Sequence, residues 1–121
     1  MVATSGANHC AYCVVAHGAI HRIRSKDPYL ADDVAASPWG TELPQRQRAI
    51  IDLALLLARD SARLTEADLD AARAAGLTDE EIWQVGAITA FFAMSNRLAH
   101  LMALRPNPEF HLLGRVPRDA G

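Results

Sequence analysis

The chain has 121 residues, 12 Lys and Arg against 14 Asp and Glu, and a net charge of −2. Half of it is apolar but only 6% is aromatic, which fits a single domain with a core of Ala, Leu, Ile and Val. The charge balance argues against a nucleic-acid surface, and no apolar run is long enough to cross a membrane.

Few Gly and Pro and abundant Ala favour helices, and five helical segments with no strand can be read in chain order. The expected fold class is all-α. Met1–Gly6 lacks the charged and apolar segments of a secretory signal, so the cytoplasm is the expected compartment. In that setting a close cysteine pair is catalytic or metal-binding rather than a structural staple. The first helix is expected from near Cys10 to about Arg24, with Asn8 as N-cap. Asp27-Pro28 opens a short helix to about Ala36 with Pro at its first position, and Ser37–Gly40 is a loop.

Thr41–Pro44 leads into a helix to about Arg59 whose Ile50–Leu57 stretch is apolar nearly all round. Such a helix is either buried or covered on a second side by another chain. Thr65–Asp68 has the capping-box pattern and its helix ends at Gly76. Thr78–Glu81 repeats the pattern and opens the longest helix, from Asp79 to about Leu104. That helix is also apolar on more than one face, and Gly86, Ala87, Ala90 and Ala93 would let another helix come close. Two such helices exceed what one small core covers, so a homo-oligomer is expected. Residues 1–104 form the helical domain; 105–121 form a Pro-broken, irregular tail, frayed from Arg115 to Gly121.

The chemistry is concentrated in one place. Asn8–His21 ("NHCAYCVVAHGAIH") holds both cysteines and three of five histidines. On a helix, Cys10, Cys13, His17 and His21 fall within roughly 80° of arc. Cys13 and His17 are one turn apart, where side chains meet, and Cys10 sits where free N–H groups favour an anion. This arrangement suits a redox dithiol with its own base: a thiolate of lowered pKa, a neighbouring His and a second thiol to form a disulfide. A Cys/His metal-binding domain is the competing reading. Four ligands spread over nearly three turns of one straight helix do not converge on one ion, and outside this stretch the only histidines are His100 and His111. His9 lies off the stripe as an exposed loop residue. Tyr12 packs beside the site or donates to a peroxide oxygen. Phe91, Phe92 and Met94 suit an apolar pocket or plain core, and Asn96 and Arg97 structural hydrogen bonds. No phosphate loop, Ser/His/Asp pattern, flavin or nicotinamide fingerprint is present, so no cofactor is expected.

Cys-x-x-Cys-x-x-x-His resembles the signature of the alkylhydroperoxidase AhpD-like proteins of the carboxymuconolactone decarboxylase superfamily, in their peroxidase-related branch. Supporting stretches are Asn8–Gly18, Ile50–Leu57, "LTDEEIW" at Leu77–Trp83, "FFAMSNRLA" at Phe91–Ala99 and "RPNPEF" at Arg105–Phe110. The resemblance implies an all-helical AhpD-like bundle that assembles as a homo-oligomer and reduces hydrogen peroxide or alkyl hydroperoxides. Carried over, Cys13 attacks the peroxide, Cys10 resolves, and His17 serves the proton relay. Nearness to the helix N-terminus on its own would favour Cys10 as the reactive thiol. The reductant would be an external dithiol, thioredoxin-like or lipoyl. The family's glutamate lies roughly three helical turns before its first cysteine, and this chain starts nine residues before Cys10. The expectation is an N-terminally shortened domain without the family's upstream helices and with an impaired relay. His21 is a stand-in relay partner in that case. The alternative is a non-catalytic helical oligomerisation module.

Overall fold

The structure, a computed structural model, describes residues 1–115. Six α-helices run in order: α1 (Val2–Ala7), α2 (Ala11–Ser25), α3 (Leu30–Ala36), α4 (Gln45–Asp60), α5 (Glu66–Ala74) and α6 (Asp79–Leu101). Short 3-10 turns occupy Ser61–Arg63 and Pro108–His111. Among the described residues there is no strand, and no helix is long and apolar enough to cross a membrane. The fold is the all-α arrangement expected.

α4 lies at the centre. Leu55 joins Ala3 of α1 and Val34 of α3 in one apolar cluster, flanked by Leu30, Leu43 and Ile51. Leu53, on another face, joins Ala72 of α5 and Leu77 in a second cluster, with Ile50, Ile82 and Val85 against it. The all-round apolarity of Ile50–Leu57 thus serves two clusters within one chain. A third, smaller cluster holds Cys10, Cys13 and Ala99, with Tyr12 packed on it.

Two helix starts follow their local sequence closely. The Asp68 carboxylate accepts from the N–H and hydroxyl of Thr65. Thr78 and Glu81 exchange reciprocal side-chain and backbone bonds at 2.9 and 3.1 Å. Elsewhere the expectations need correction. α1 lies ahead of the first helix expected from the sequence, and its Val2, Ala3, Thr4 and Ser5 are all buried. Gly6 lets α1 approach α3: a Cβ there would stand 2.9 Å from the Cα of Ala35. Asn8 ends α1 instead of capping α2, whose N-cap is Cys10. α3 begins at Leu30 rather than Pro28, because Asp27 Oδ1 accepts from the N–H groups of Tyr29 and Leu30 and so sets the start. α6 stops at Leu101, followed by Ala103 at φ 52°.

The tail is more ordered than a Pro-broken segment suggests. Arg22 of α2 is buried and donates from Nε to Leu113 O and from Nη2 to Phe110 O, both at 2.8 Å. Asp32 pairs with Arg115 and lies 3.7 Å from Arg22. Gly114 takes φ +76°, and a Cβ there would meet Arg22. Beyond Arg115, the segment expected to be frayed lies outside the described residues.

Candidate active site

The site forms where the chain turns from α1 into α2. Asn8–Cys10 reverses direction, with His9 in the left-handed region at φ 55°. Cys10 is extended at φ −92° and ψ 96°, so it precedes the helix and caps it. Its Sγ accepts from the Cys13 N–H at 3.3 Å. Cys10 and Cys13, with Cα atoms 5.3 Å apart, form a disulfide across this first turn. Each is about 1% exposed, enclosed by Tyr12 and by Ala99 of α6.

His17 lies one turn further along α2. Its Nδ1 is 3.0 Å from the Cys13 carbonyl oxygen. A carbonyl only accepts, so Nδ1 carries the hydrogen and Nε2 of the neutral ring keeps its lone pair. The ring meets Phe92 of α6 edge-on, at 4.7 Å between centroids and 85° between planes. Phe91 stacks edge-on against Phe92 in turn, at 5.3 Å. Phe92 therefore steadies the imidazole while its hydrogen bond selects the tautomer.

The expected four-residue stripe is only partly assembled. Cys13 and His17 share the helix face, and Cys10 joins them from outside the helix through the disulfide. His21 follows His17 by one turn on the same face of α2, but its Nδ1 is 3.4 Å from Ser25 Oγ, and that hydroxyl donates to the His21 carbonyl at 2.8 Å. Ser25 Oγ also receives the Asp27 N–H. Asp27 is held below the usual carboxyl range by its bonds from Tyr29 and Leu30, with a smaller contribution from His21. Tyr12 is half-buried against the cysteines. His9 is exposed, and its carbonyl accepts from His100 Nε2 at 3.1 Å. His111 lies in the C-terminal 3-10 turn. Among the described residues no three His, Cys, Asp or Glu side chains are grouped as metal ligands would be.

Residues from both ends of the chain support the turn. Asn96 of α6 is fully buried; its Nδ2 donates to Ser5 Oγ at 2.9 Å and its Oδ1 accepts from Asn8 Nδ2 at 3.0 Å. A structural hydrogen bond was the expected role of Asn96; its partners were not foreseeable. The only signal was one amide in an apolar stretch of helix and two small polar residues just before the cysteines.

Comparison with known proteins adds the following. The profile of the carboxymuconolactone decarboxylase family matches residues 29–104, which takes in α3 to α6 but begins after the cysteines. One similar solved structure is an alkylhydroperoxidase AhpD core, described as an uncharacterized peroxidase-related protein, from Ralstonia eutropha JMP134. It is 54% identical with a TM-score of 0.93, over 97% of this chain and 62% of that one. Another is an uncharacterized peroxidase-related protein from Silicibacter sp. TM1040, 41% identical with a TM-score of 0.88, over 91% of this chain and 58% of that one. The chain therefore spans less than two thirds of the length of either. No curated protein matches.

Proposed function

We propose that this chain, which belongs to the carboxymuconolactone decarboxylase family, is the redox core of a thiol-dependent peroxidase acting on hydrogen peroxide or alkyl hydroperoxides. The observation that carries the reading is the Cys10–Cys13 disulfide at the start of α2, with the imidazole of His17 one turn away in the tautomer that leaves Nε2 basic. The peroxidase-related solved structures agree with it at the level of family.

In the reduced protein Cys13 gives its proton to the relay served by His17, and the thiolate attacks one peroxide oxygen. The O–O bond breaks, the alcohol or water departs with a proton, and Cys13 becomes a sulfenic acid. The Cys10 thiolate then attacks the Cys13 sulfur and the S–O bond breaks; the departing hydroxide takes up the proton that Cys10 gave up and leaves as water, which yields the disulfide. An external dithiol, of the thioredoxin or lipoyl kind, returns two electrons and two protons by exchange and is itself oxidised to a disulfide. The cycle needs no cofactor. Cytoplasmic residence suits it, since thiols are kept reduced there.

Self-assembly is part of the proposal. Trp83, Phe91, Met94, Leu98, Leu101 and Met102 are each more than half exposed. At about 100° per residue they fall within roughly 100° of arc along α6 and its C-cap, Met102. With large side chains offering on the order of 150–250 Å² each, the exposed share comes to roughly 700 Å². That exceeds the usual apolar patch of a monomer, about 300–600 Å², and approaches the ~800 Å² per partner of a standard interface. A second copy of this chain is the occupant proposed.

The deciding experiment counts thiols on the reduced chain before and after a small molar excess of an alkyl hydroperoxide, with intact mass to identify the product. Loss of both thiols with a mass two hydrogens lower is expected, as is abolition of peroxide consumption in Cys13→Ser. Two thiols still titrating would overturn the reading and favour a non-catalytic assembly module.

A further inference from the structure

Asn96 is out of place by the rules of its own helix. It is fully buried, on the face of α6 that also buries Thr89 and Ala99, where an amide is tolerated only if its donors and acceptor are satisfied. Its partners are Ser5 and Asn8, 91 and 88 positions away. Ser5 lies in α1 and Asn8 at its end, where the turn that delivers Cys10 begins. The Ser5 carbonyl also accepts the Cys10 N–H at 3.0 Å. One turn further along α6, His100 holds the His9 carbonyl and so supports the left-handed residue next to Cys10. Ala99, between them in sequence, packs on the sulfurs. α6 thus clasps the whole segment from Ser5 to Cys10.

The clasp has a chemical consequence. It fixes Cys10 outside α2 in extended conformation, where its sulfur and not its backbone meets the Cys13 N–H. A hydrogen bond from an amide to sulfur is much stronger when the sulfur is an anion, and the start of a 15-residue helix adds its own preference for negative charge. Cys13, already inside the helix, has its N–H engaged with Cys10, and among the described residues none donates to its own sulfur.

We infer that Asn96 is a positioning residue for the redox pair: through Ser5 and Asn8 it holds Cys10 as the N-cap of α2 and makes Cys10 the sulfur whose thiolate the fold favours. Within the proposed peroxidase cycle, on which this inference builds, Cys10 is then ready to attack the Cys13 sulfenic acid. It is also the better leaving thiolate when the external dithiol attacks the Cys13 sulfur.

The test uses no peroxide, so it stands apart from the activity. Thiolate absorbance near 240 nm is titrated against pH in Cys13→Ser, where only Cys10 remains, and in Cys10→Ser, where only Cys13 remains. The midpoint for Cys10 is expected below that for Cys13. Adding Asn96→Ala to Cys13→Ser is expected to lower the Cys10 thiolate fraction at pH 7 at least threefold, with helical content retained. Asn8→Ala, which opens the clasp from its half-buried end, decides the matter if Asn96→Ala does not fold. Neither change is expected to move the Cys13 midpoint in the Cys10→Ser protein. Equal midpoints for the two thiols, or a Cys10 midpoint indifferent to Asn8→Ala in a folded protein, would overturn the inference. A folded chain with a shifted Cys10 midpoint and no peroxide turnover would uphold it and discard the peroxidase reading instead.

Discussion

Replacing Leu98 by glutamate tests the apolar face of α6 at its middle. Leu98 leaves 51% of its surface free in the single chain. Burying a whole leucine stabilises by ~1.5–3 kcal/mol, so the free half contributes about 1 kcal/mol wherever a second copy covers it. A two-fold contact brings the residue in twice, for about 2 kcal/mol, or roughly 30-fold in the association constant. The carboxylate adds a desolvation cost on top, so 30-fold is the lower bound. Sedimentation velocity or light scattering over a dilution series gives the constant directly. Ala62→Glu, in the exposed 3-10 turn after α4, is the matched control and should leave assembly unchanged. A wild-type chain that is monomeric throughout the micromolar range would refute the reasoning. So would a Leu98→Glu protein that assembles as tightly as wild type.

Three carboxyl groups make stability depend on acid. Asp27 is held low by the N–H groups of Tyr29 and Leu30, Asp68 by Thr65, and Glu81 first by Arg46 and then by Thr78. A depressed folded pKa stabilises above the ordinary carboxyl range near about 4 and is lost as pH falls through the folded value. The urea midpoint should therefore be flat above that range and fall below it, and Glu81→Gln should flatten part of the slope; an unchanged slope would remove Glu81 from the account. Arg22→Met should free the C-terminal segment from α2. It loses two charged hydrogen bonds, each ~1.5–3 kcal/mol, against relief from burying a cation, for a net cost of about 2 kcal/mol. Amide exchange at residues 110–115 should quicken while α2 stays protected, and unchanged protection there would contradict this role of Arg22.

The parts of this fold legible in the sequence are those written in adjacent residues. Thr65 with Asp68, and Thr78 with Glu81, announce two helix starts because the partners lie three positions apart. The apolarity of Ile50–Leu57 marks a central helix, and only the packing says that it divides its faces between two clusters of one chain. α1 was illegible because six residues with no apolar period make no pattern. It is a helix by virtue of tertiary contact, with Gly6 set against Ala35. Arg22 reads as an ordinary basic residue near a helix end. What buries it is a pair of carbonyls 88 and 91 residues later.

The candidate site divides along the same line. Spacing brings Cys13 and His17 to one face, and that part is local. Helical periodicity also places Cys10 in the first turn, and there it misleads, because the residue before a helix is governed by what holds the incoming chain. Here the holder is Asn96, and no pattern around Asn8 points to it. The consequence reaches the chemistry. Were Cys10 inside α2, its side chain would point away from the first-turn N–H groups that an N-cap side chain meets. Held outside, it turns its sulfur toward the Cys13 N–H at 3.3 Å. Two cysteines three positions apart are thereby made inequivalent: Cys13 lies inside α2 one turn before His17, whose Nδ1 meets its carbonyl, while Cys10 stands outside as the cap. A dithiol motif specifies which atoms react, and the distant asparagine specifies how the two sulfurs differ.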